Sequence, residues 1–219
     1  MDYETKKFLE HISLAKNANL RLIKFLGKGK SGYSYLIKDK DIDKVLKIIH
    51  NEPCPYYAFG DKFKSEIHAY QKLRAMSIPI PELIEGNELE NYMIKEYIEG
   101  NTIAELIAQD SIENWHIEQI FKICKILYTN GINIDYFPTN FVANHNKLFY
   151  VDYEINPYSE EWNFENWGIY YWANSQGMKE FLETRDILKI NIDSNSGKPI
   201  KDDGTKTANW LRIREKLFK

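Results

Sequence analysis

The stretch Asn133-Ile134-Asp135-Tyr136-Phe137-Pro138-Thr139-Asn140, followed by Asp152-Tyr153-Glu154, decides how this chain is read. Pro138, between Asp135 and Asn140, marks the segment as a loop rather than a helix, because proline breaks the helical hydrogen-bond ladder. The intervening residues, Phe141-Val142-Ala143-Asn144-His145-Asn146-Lys147-Leu148-Phe149-Tyr150-Val151, are two apolar runs around a polar His-Asn turn. That pattern predicts a β-hairpin. A hairpin here sets Asn140 and Asp152 back to back at its base, as oxygen ligands suited to Mg²⁺ held against a triphosphate.

Working outward toward the N-terminus, Leu26-Gly27-Lys28-Gly29-Lys30-Ser31-Gly32-Tyr33-Ser34-Tyr35-Leu36 carries a G-x-G-x-x-G pattern. Glycines remove Cβ atoms where a tight turn approaches phosphate oxygens with its backbone N–H groups. A dinucleotide site needs a helix next, but the β-branched and aromatic run from Tyr33 to Ile37 predicts a strand. A Walker-type loop needs Lys where Tyr33 stands. A strand–turn–strand lid over a nucleotide survives, beside the plain alternative of a glycine-rich hairpin turn. Val45-Leu46-Lys47-Ile48-Ile49 is an apolar strand broken by one lysine, a residue that in a strand is ordinarily solvated. Glu66 lies on the helical pattern Phe63–Leu73, where it can pair with Lys47 and aim the ammonium at phosphates. Residues 3–16, with Phe8, Leu9, Ile12 and Leu14, predict a short amphipathic helix. A connector at Pro79-Ile80-Pro81 precedes the strand Tyr92–Ile98.

Composition narrows the classes. The chain has 219 residues, 43% of them hydrophobic, enough for a good core in one domain or two packed lobes. A net charge of −3 leaves no electrostatic footprint for nucleic acid. No apolar run is long enough to span a membrane, and Met1–Lys7 lacks the apolar core of a signal peptide. Cys54 and Cys124 have no metal-type spacing, and reduced thiols in a cytoplasm are the expectation. The histidines at 11, 50, 68, 116 and 145 show no ligand spacing either, and His145 reads as a turn residue.

From about residue 21 to about residue 172 the chain resembles the protein-kinase-like superfamily. The glycine loop matches Gly27, Gly29 and Gly32, the phosphate-anchoring lysine Lys47, and the helix glutamate Glu66. The adenine-binding hinge looks like Glu96-Tyr97-Ile98, with Glu96 and Ile98 the expected backbone contacts. The catalytic-loop Asp and Asn match Asp135 and Asn140, and the metal-binding Asp matches Asp152. The resemblance implies an α+β, two-lobed protein-kinase-like fold: a small β-rich N-lobe over 1–98 and a reduced, mostly helical C-lobe over 99–219. It also implies ATP and Mg²⁺ as cofactors, with Asp135 and Lys47 carrying the transfer.

Departures from the family pattern shape the expectation. The catalytic loop opens Asn133-Ile134-Asp135 rather than His-Arg-Asp, so it lacks the arginine that answers an activation-loop phosphate. Asp152-Tyr153-Glu154 replaces Asp-Phe-Gly and is similar to choline kinases and aminoglycoside phosphotransferases; Glu154 is a metal-proximal carboxylate or a solvated loop acid. Only residues 155–166 separate it from the next helix, short for a peptide platform. Residues 99–134, read as helices over 102–109 and 112–129, lack the insertion that shapes the alcohol pocket of those enzymes and give a lobe similar in size to RIO-type kinases. Lys95, where many relatives have an apolar residue, leaves ATP against GTP open. The expected activity is transfer to a hydroxyl of a small molecule, with a protein acceptor or a non-catalytic nucleotide-binding module as alternatives. Aromatics from Tyr150 to Trp172 read mostly as core. A subset of them with Glu160, Glu161 and Glu165 forms the alternative of a cage for a cationic alcohol.

Overall fold

The computed structural model describes residues 3–15, 19–50, 52, 60–201 and 204–219, with backbone alone at positions 3 and 4. Cys54, Asp202 and Asp203 lie outside these residues. The protein is mixed α+β, and its chain forms two compact units, Met1–Tyr70 with Pro81–Tyr97 and Gln71–Ile80 with Ile98–Lys219.

The first unit contains α1 (Tyr3–Ala15), β1 (Leu20–Lys28), β2 (Gly32–Asp39), β3 (Ile42–Ile49), the start of α2 (Lys62–Ala75), β4 (Leu83–Asn87) and β5 (Tyr92–Glu96). The strands form one antiparallel sheet in the order β1-β2-β3-β5-β4. Side chains alternate across a strand, so each strand divides its residues between two faces. Tyr35, Ile37, Leu46, Tyr92 and Ile94 pack with Leu9 and Ile12 of α1 on one face. Lys47, in register with Ser34 and Met93, lies on the other, together with Val45 and its partner Lys95. Two expectations shift here. Leu14 is 83% exposed, because two residues past Ile12 it falls on the far side of the helix. The strand expected to reach Ile98 stops at Glu96, whose N–H donates to Glu82 O and whose carboxylate accepts from Glu82 N.

In the second unit, β6 (Asn101–Thr102), β8 (Phe141–Asn144) and β9 (Lys147–Tyr150) form a small sheet, and β7 (Ile132–Asn133) pairs with β10 (Asn156–Pro157). Around them lie α3 (Ile103–Ala108), α4 (Asn114–Thr129), α5 (Ile169–Ala173), α6 (Ser175–Thr184) and α7 (Thr205–Phe218). Thr102 and Glu105 cap α3 reciprocally through side chain and backbone. The apolar stripe of α4, with Ile117, Ile120, Phe121, Cys124 and Leu127, is buried. Burial pushes the Cys124 thiol above its ordinary range, which keeps it protonated and inert. Gly100 sits at φ +141°, and a Cβ there would strike the Ala143 carbonyl, so β6 lies against β8 only because this residue is glycine. Among the described residues no helix is long and apolar enough to cross a membrane.

Candidate active site

In the first unit the glycine loop joins β1 to β2. Gly29 N–H donates to Gly32 O at 2.8 Å and closes the tip. Only Gly32 is demanded by the protein itself: a Cβ there would stand 2.5 Å from Ile48 O. A Cβ on Gly27 would meet nothing within 4 Å, and one on Gly29 only Gly32 O at 3.8 Å. Packing therefore does not explain glycine at 27 and 29, and the open space beside them fits a ligand that needs close approach to the backbone.

Beneath the loop, Lys47 Nζ lies 2.5 Å from Glu66 Oε1, and the two side chains are each 6% exposed. The solvated reading of Lys47 is thereby set aside. The same carboxylate oxygen accepts from the Ser31 hydroxyl at 2.5 Å, so the helix glutamate holds the loop tip as well as the lysine. Sequence reasoning missed a second anchor, Lys62. Its ammonium, nearly buried at the start of α2, donates to the carbonyls of Lys30, His50 and Glu52 at 3.3, 2.7 and 3.3 Å. Its only signal was a lysine at the N-terminus of a helix, where the dipole disfavours a cation. At the shoulder, Lys28 and then the Tyr33 hydroxyl hold the Glu52 carboxyl down to about 2. Lys95 is 4% exposed, a second buried lysine on Lys47's face of the sheet.

In the second unit the expected hairpin is present. Its turn residues His145 and Asn146 take φ values of +43° and +62°, a conformation that Asn adopts more readily than most residues. The paired strands return the chain so that Val151 N–H donates to Asn140 O at 2.8 Å, which puts Asp152 beside Asn140. A single 3-10 turn, Pro138–Asn140, presents the asparagine, whose Nδ2 donates to Asp135 O at 3.3 Å. Asp135 Oδ1 accepts from Phe137 N–H at 3.0 Å and Asp152 Oδ1 from Tyr153 N–H at 2.9 Å, which fix each carboxylate to its own loop. Asn156 Nδ2 donates to Glu154 Oε1 at 3.1 Å.

Tyr150 ends the hairpin as a fully buried side chain. Its hydroxyl donates to Glu154 O at 3.1 Å. Burial, then the carboxylates of Asp152, Glu154 and Asp135, push its phenol well above the ordinary range. Tyr171 is raised by burial and by Asp135, and its hydroxyl bonds Asn191 Oδ1 at 2.7 Å and Gly197 O at 2.9 Å.

Folding sorts the aromatics and acids considered for a cage. Tyr150, Tyr153, Phe164, Tyr171 and Trp172 are core, and Trp167 Nε1 donates to Gly197 O at 2.8 Å. Glu165 accepts from Tyr128 at 2.6 Å and pairs with Arg214 of α7 at 3.0 Å; Glu161 pairs with Lys198 at 3.2 Å. A cleft of about 310 Å³ is lined by Tyr158, Glu160, Asn166 and Arg214, among others.

The residues fit ATP and Mg²⁺ in part by what each unit offers. Around the Cβ positions of glycines 27 and 29 the described residues leave open space, and Lys47 is a buried cation in the same unit. Among the described residues no group of three or more His, Cys, Asp or Glu gathers to hold a metal. A resident metal cage is thus not built; Asn140 and Asp152 are the oxygen donors that would hold Mg²⁺, with phosphate oxygens and water completing its shell.

No family model matches the chain. A stretch of 101 residues, 42% of this chain, is 29% identical to the serine/threonine-protein kinase PknA of Nostoc sp. (strain PCC 7120 / SAG 25.82 / UTEX 2576). The match covers 18% of that protein's length. Over that portion the chain is distantly similar to a protein kinase.

Proposed function

We propose that this protein is an ATP-dependent phosphotransferase that passes the γ-phosphoryl group to a hydroxyl of a small molecule. The observation that carries the reading is the buried Lys47–Glu66 pair beneath a glycine loop whose tip the same glutamate holds. A buried ion pair is a poor source of stability, so its presence favours a functional reason. ATP supplies the electrophilic phosphoryl group, and Mg²⁺ offsets the charge that gathers on its oxygens. Lys47 draws phosphate charge toward the sheet, Gly27 and Gly29 admit the phosphates to backbone N–H groups, and Glu96 and Ile98 meet the purine through their backbone. Asp135 orients the acceptor hydroxyl and takes its proton as the new P–O bond forms. Asn140 and Asp152 hold the metal.

The short segment between Asp152 and the turn at Phe164–Gly168 supports a small acceptor over an extended peptide. The similarity to PknA supports the second reading, a protein acceptor. A thermal shift with Mg²⁺-ATP and an ADP-release assay over small alcohols and generic protein substrates, on wild type and Asp152→Ala, tests both. Wild-type protein that neither gains stability with Mg²⁺-ATP nor releases ADP would sink the phosphotransferase reading.

A further inference from the structure

Helix α5 reaches the loop that carries Asp135 through its tryptophan. Trp172 is 1% exposed, and its ring packs edge-on with Phe141 and Phe164, centroids 5.4 and 5.3 Å apart. Its indole Nε1 donates to Tyr136 O at 3.0 Å within the core. At the other end of the same peptide group, Phe137 N–H donates to Asp135 Oδ1 at 3.0 Å. A trans peptide is planar, so a donor that fixes the direction of its C=O also fixes the direction of its N–H. One indole proton, one peptide group and one carboxylate thus form a chain in which each hydrogen bond polarises the next. Gly168, four residues before Trp172, holds the same tyrosine from its side-chain end: a Cβ there would stand 2.6 Å from Tyr136 Cβ. The φ of Gly168 is −60°, open to any residue, so close approach to Tyr136 is what calls for glycine. A buried indole N–H ordinarily finds some acceptor. Here the acceptor is the carbonyl whose own peptide N–H holds Asp135.

We infer that Trp172 is a positioning residue, acting through the Tyr136–Phe137 peptide group to set the orientation of the Asp135 carboxylate. This inference rests on the phosphotransferase reading, in which Asp135 orients the acceptor hydroxyl and takes its proton. The indole is a donor only and takes no proton itself; its part is to fix a plane. Without that donor the peptide and the carboxylate are free to turn, and a misplacement of about 1 Å can lower a rate by about a hundredfold. The glycine loop and Lys47 belong to the other unit, so nucleotide binding is retained.

Trp172→Phe would empty core volume as well as remove the donor, so the test removes the donor alone. Trp172 is replaced in the full chain by 3-benzothienylalanine, which keeps the bicyclic ring and puts sulfur in place of the N–H. The melting temperature, the Phe137 amide exchange rate by NMR, and the kcat and nucleotide KM for ADP release are measured, the kinetics also in an Asp135→Asn background. The melting temperature is expected to fall by a few degrees and Phe137 exchange to rise about fivefold, the scale of one lost hydrogen bond. The kcat is expected to fall about tenfold or more with KM unchanged. In Asp135→Asn the same replacement is expected to change kcat less than about twofold, because the group it acts through is already gone. A purely structural tryptophan would lower the melting temperature and leave kcat per folded molecule as it was. Unchanged kcat, unchanged Phe137 exchange, or an equal fall in the Asp135→Asn background overturns the relay alone. Wild type with no transfer at all overturns the phosphotransferase reading instead, and the inference with it.

Discussion

Lys47 Nζ and Glu66 Oε1 stand 2.5 Å apart where neither side chain is more than 6% exposed, so each charge relies on the other for what water no longer provides. Removing Lys47 leaves the Glu66 carboxylate buried with the Ser31 hydroxyl still donating to it but its ammonium partner gone. Lys47→Ala is expected to lose about 3–5 kcal/mol of stability in urea unfolding. Replacing both, Lys47→Met with Glu66→Leu, is expected to recover most of that loss while abolishing nucleotide-dependent stabilisation. A double variant as unstable as the single one would show that the pair holds the fold rather than a ligand.

Gly32 and Gly29 are expected to separate stability from binding. A methyl at position 32 meets Ile48 O, so Gly32→Ala should cost about 1–3 kcal/mol as overpacking. A methyl at position 29 meets only ordinary contact, so Gly29→Ala should melt within a degree or two of wild type and bind nucleotide more weakly. Calorimetric melting and nucleotide titration of both variants check this. Equal nucleotide affinity in Gly29→Ala would remove the phosphate role of the loop.

Asp135 is a clean target because its fold contact survives amidation. In Asp135→Asn the side-chain oxygen still accepts from Phe137 N–H, so the melting temperature should hold. Transfer should fall by about 10²–10⁴-fold, the range for losing a positioned proton acceptor. A variant with normal folding and normal kcat would place the chemistry elsewhere.

Acid sensitivity is expected to centre on His116. Its ring is 2% exposed, stacks on Trp115, and accepts from Glu113 N–H through Nδ1 at 3.0 Å at the start of α4. Burial lowers its pKa from the ordinary 6.5. The folded state therefore prefers the neutral ring. This contribution is whole above pH 6.5 and is lost as pH falls toward the depressed folded value, by at most about 1.4 kcal/mol per pH unit. His116→Gln keeps a cap acceptor and removes the titration. Its unfolding free energy should change less between pH 7 and pH 5 than that of wild type.

Much of this arrangement was legible because the relevant patterns are local. β-Branched and aromatic residues mark β2, an apolar run broken by one lysine marks β3, the His-Asn turn marks the β8–β9 hairpin, and spacing pairs Lys47 with Glu66. What was not legible depends on distant contacts. Helix α6 holds Gly177, which reads as a breaker; it is there because a Cβ would strike both Asn174 and the Lys189 carbonyl. Lys62 gathers three carbonyls from separate points of the chain, and no spacing rule announces that. Conversely, composition showed rings and acids from Tyr150 to Trp172, and folding gave several of them to the core and to partners already present.

The conformation of Gly100 has a mechanical side. Gly100 lies so close to β8 that the Ala143 carbonyl leaves no room for a Cβ at that position, and Asn144 Nδ2 grips Glu99 O at 2.6 Å. There is little slack at the point where the chain enters the second unit. Within the second unit, a displacement of Gly100 is therefore passed at once to β8, the strand that begins next to Asn140, with no slack residue between them to absorb it.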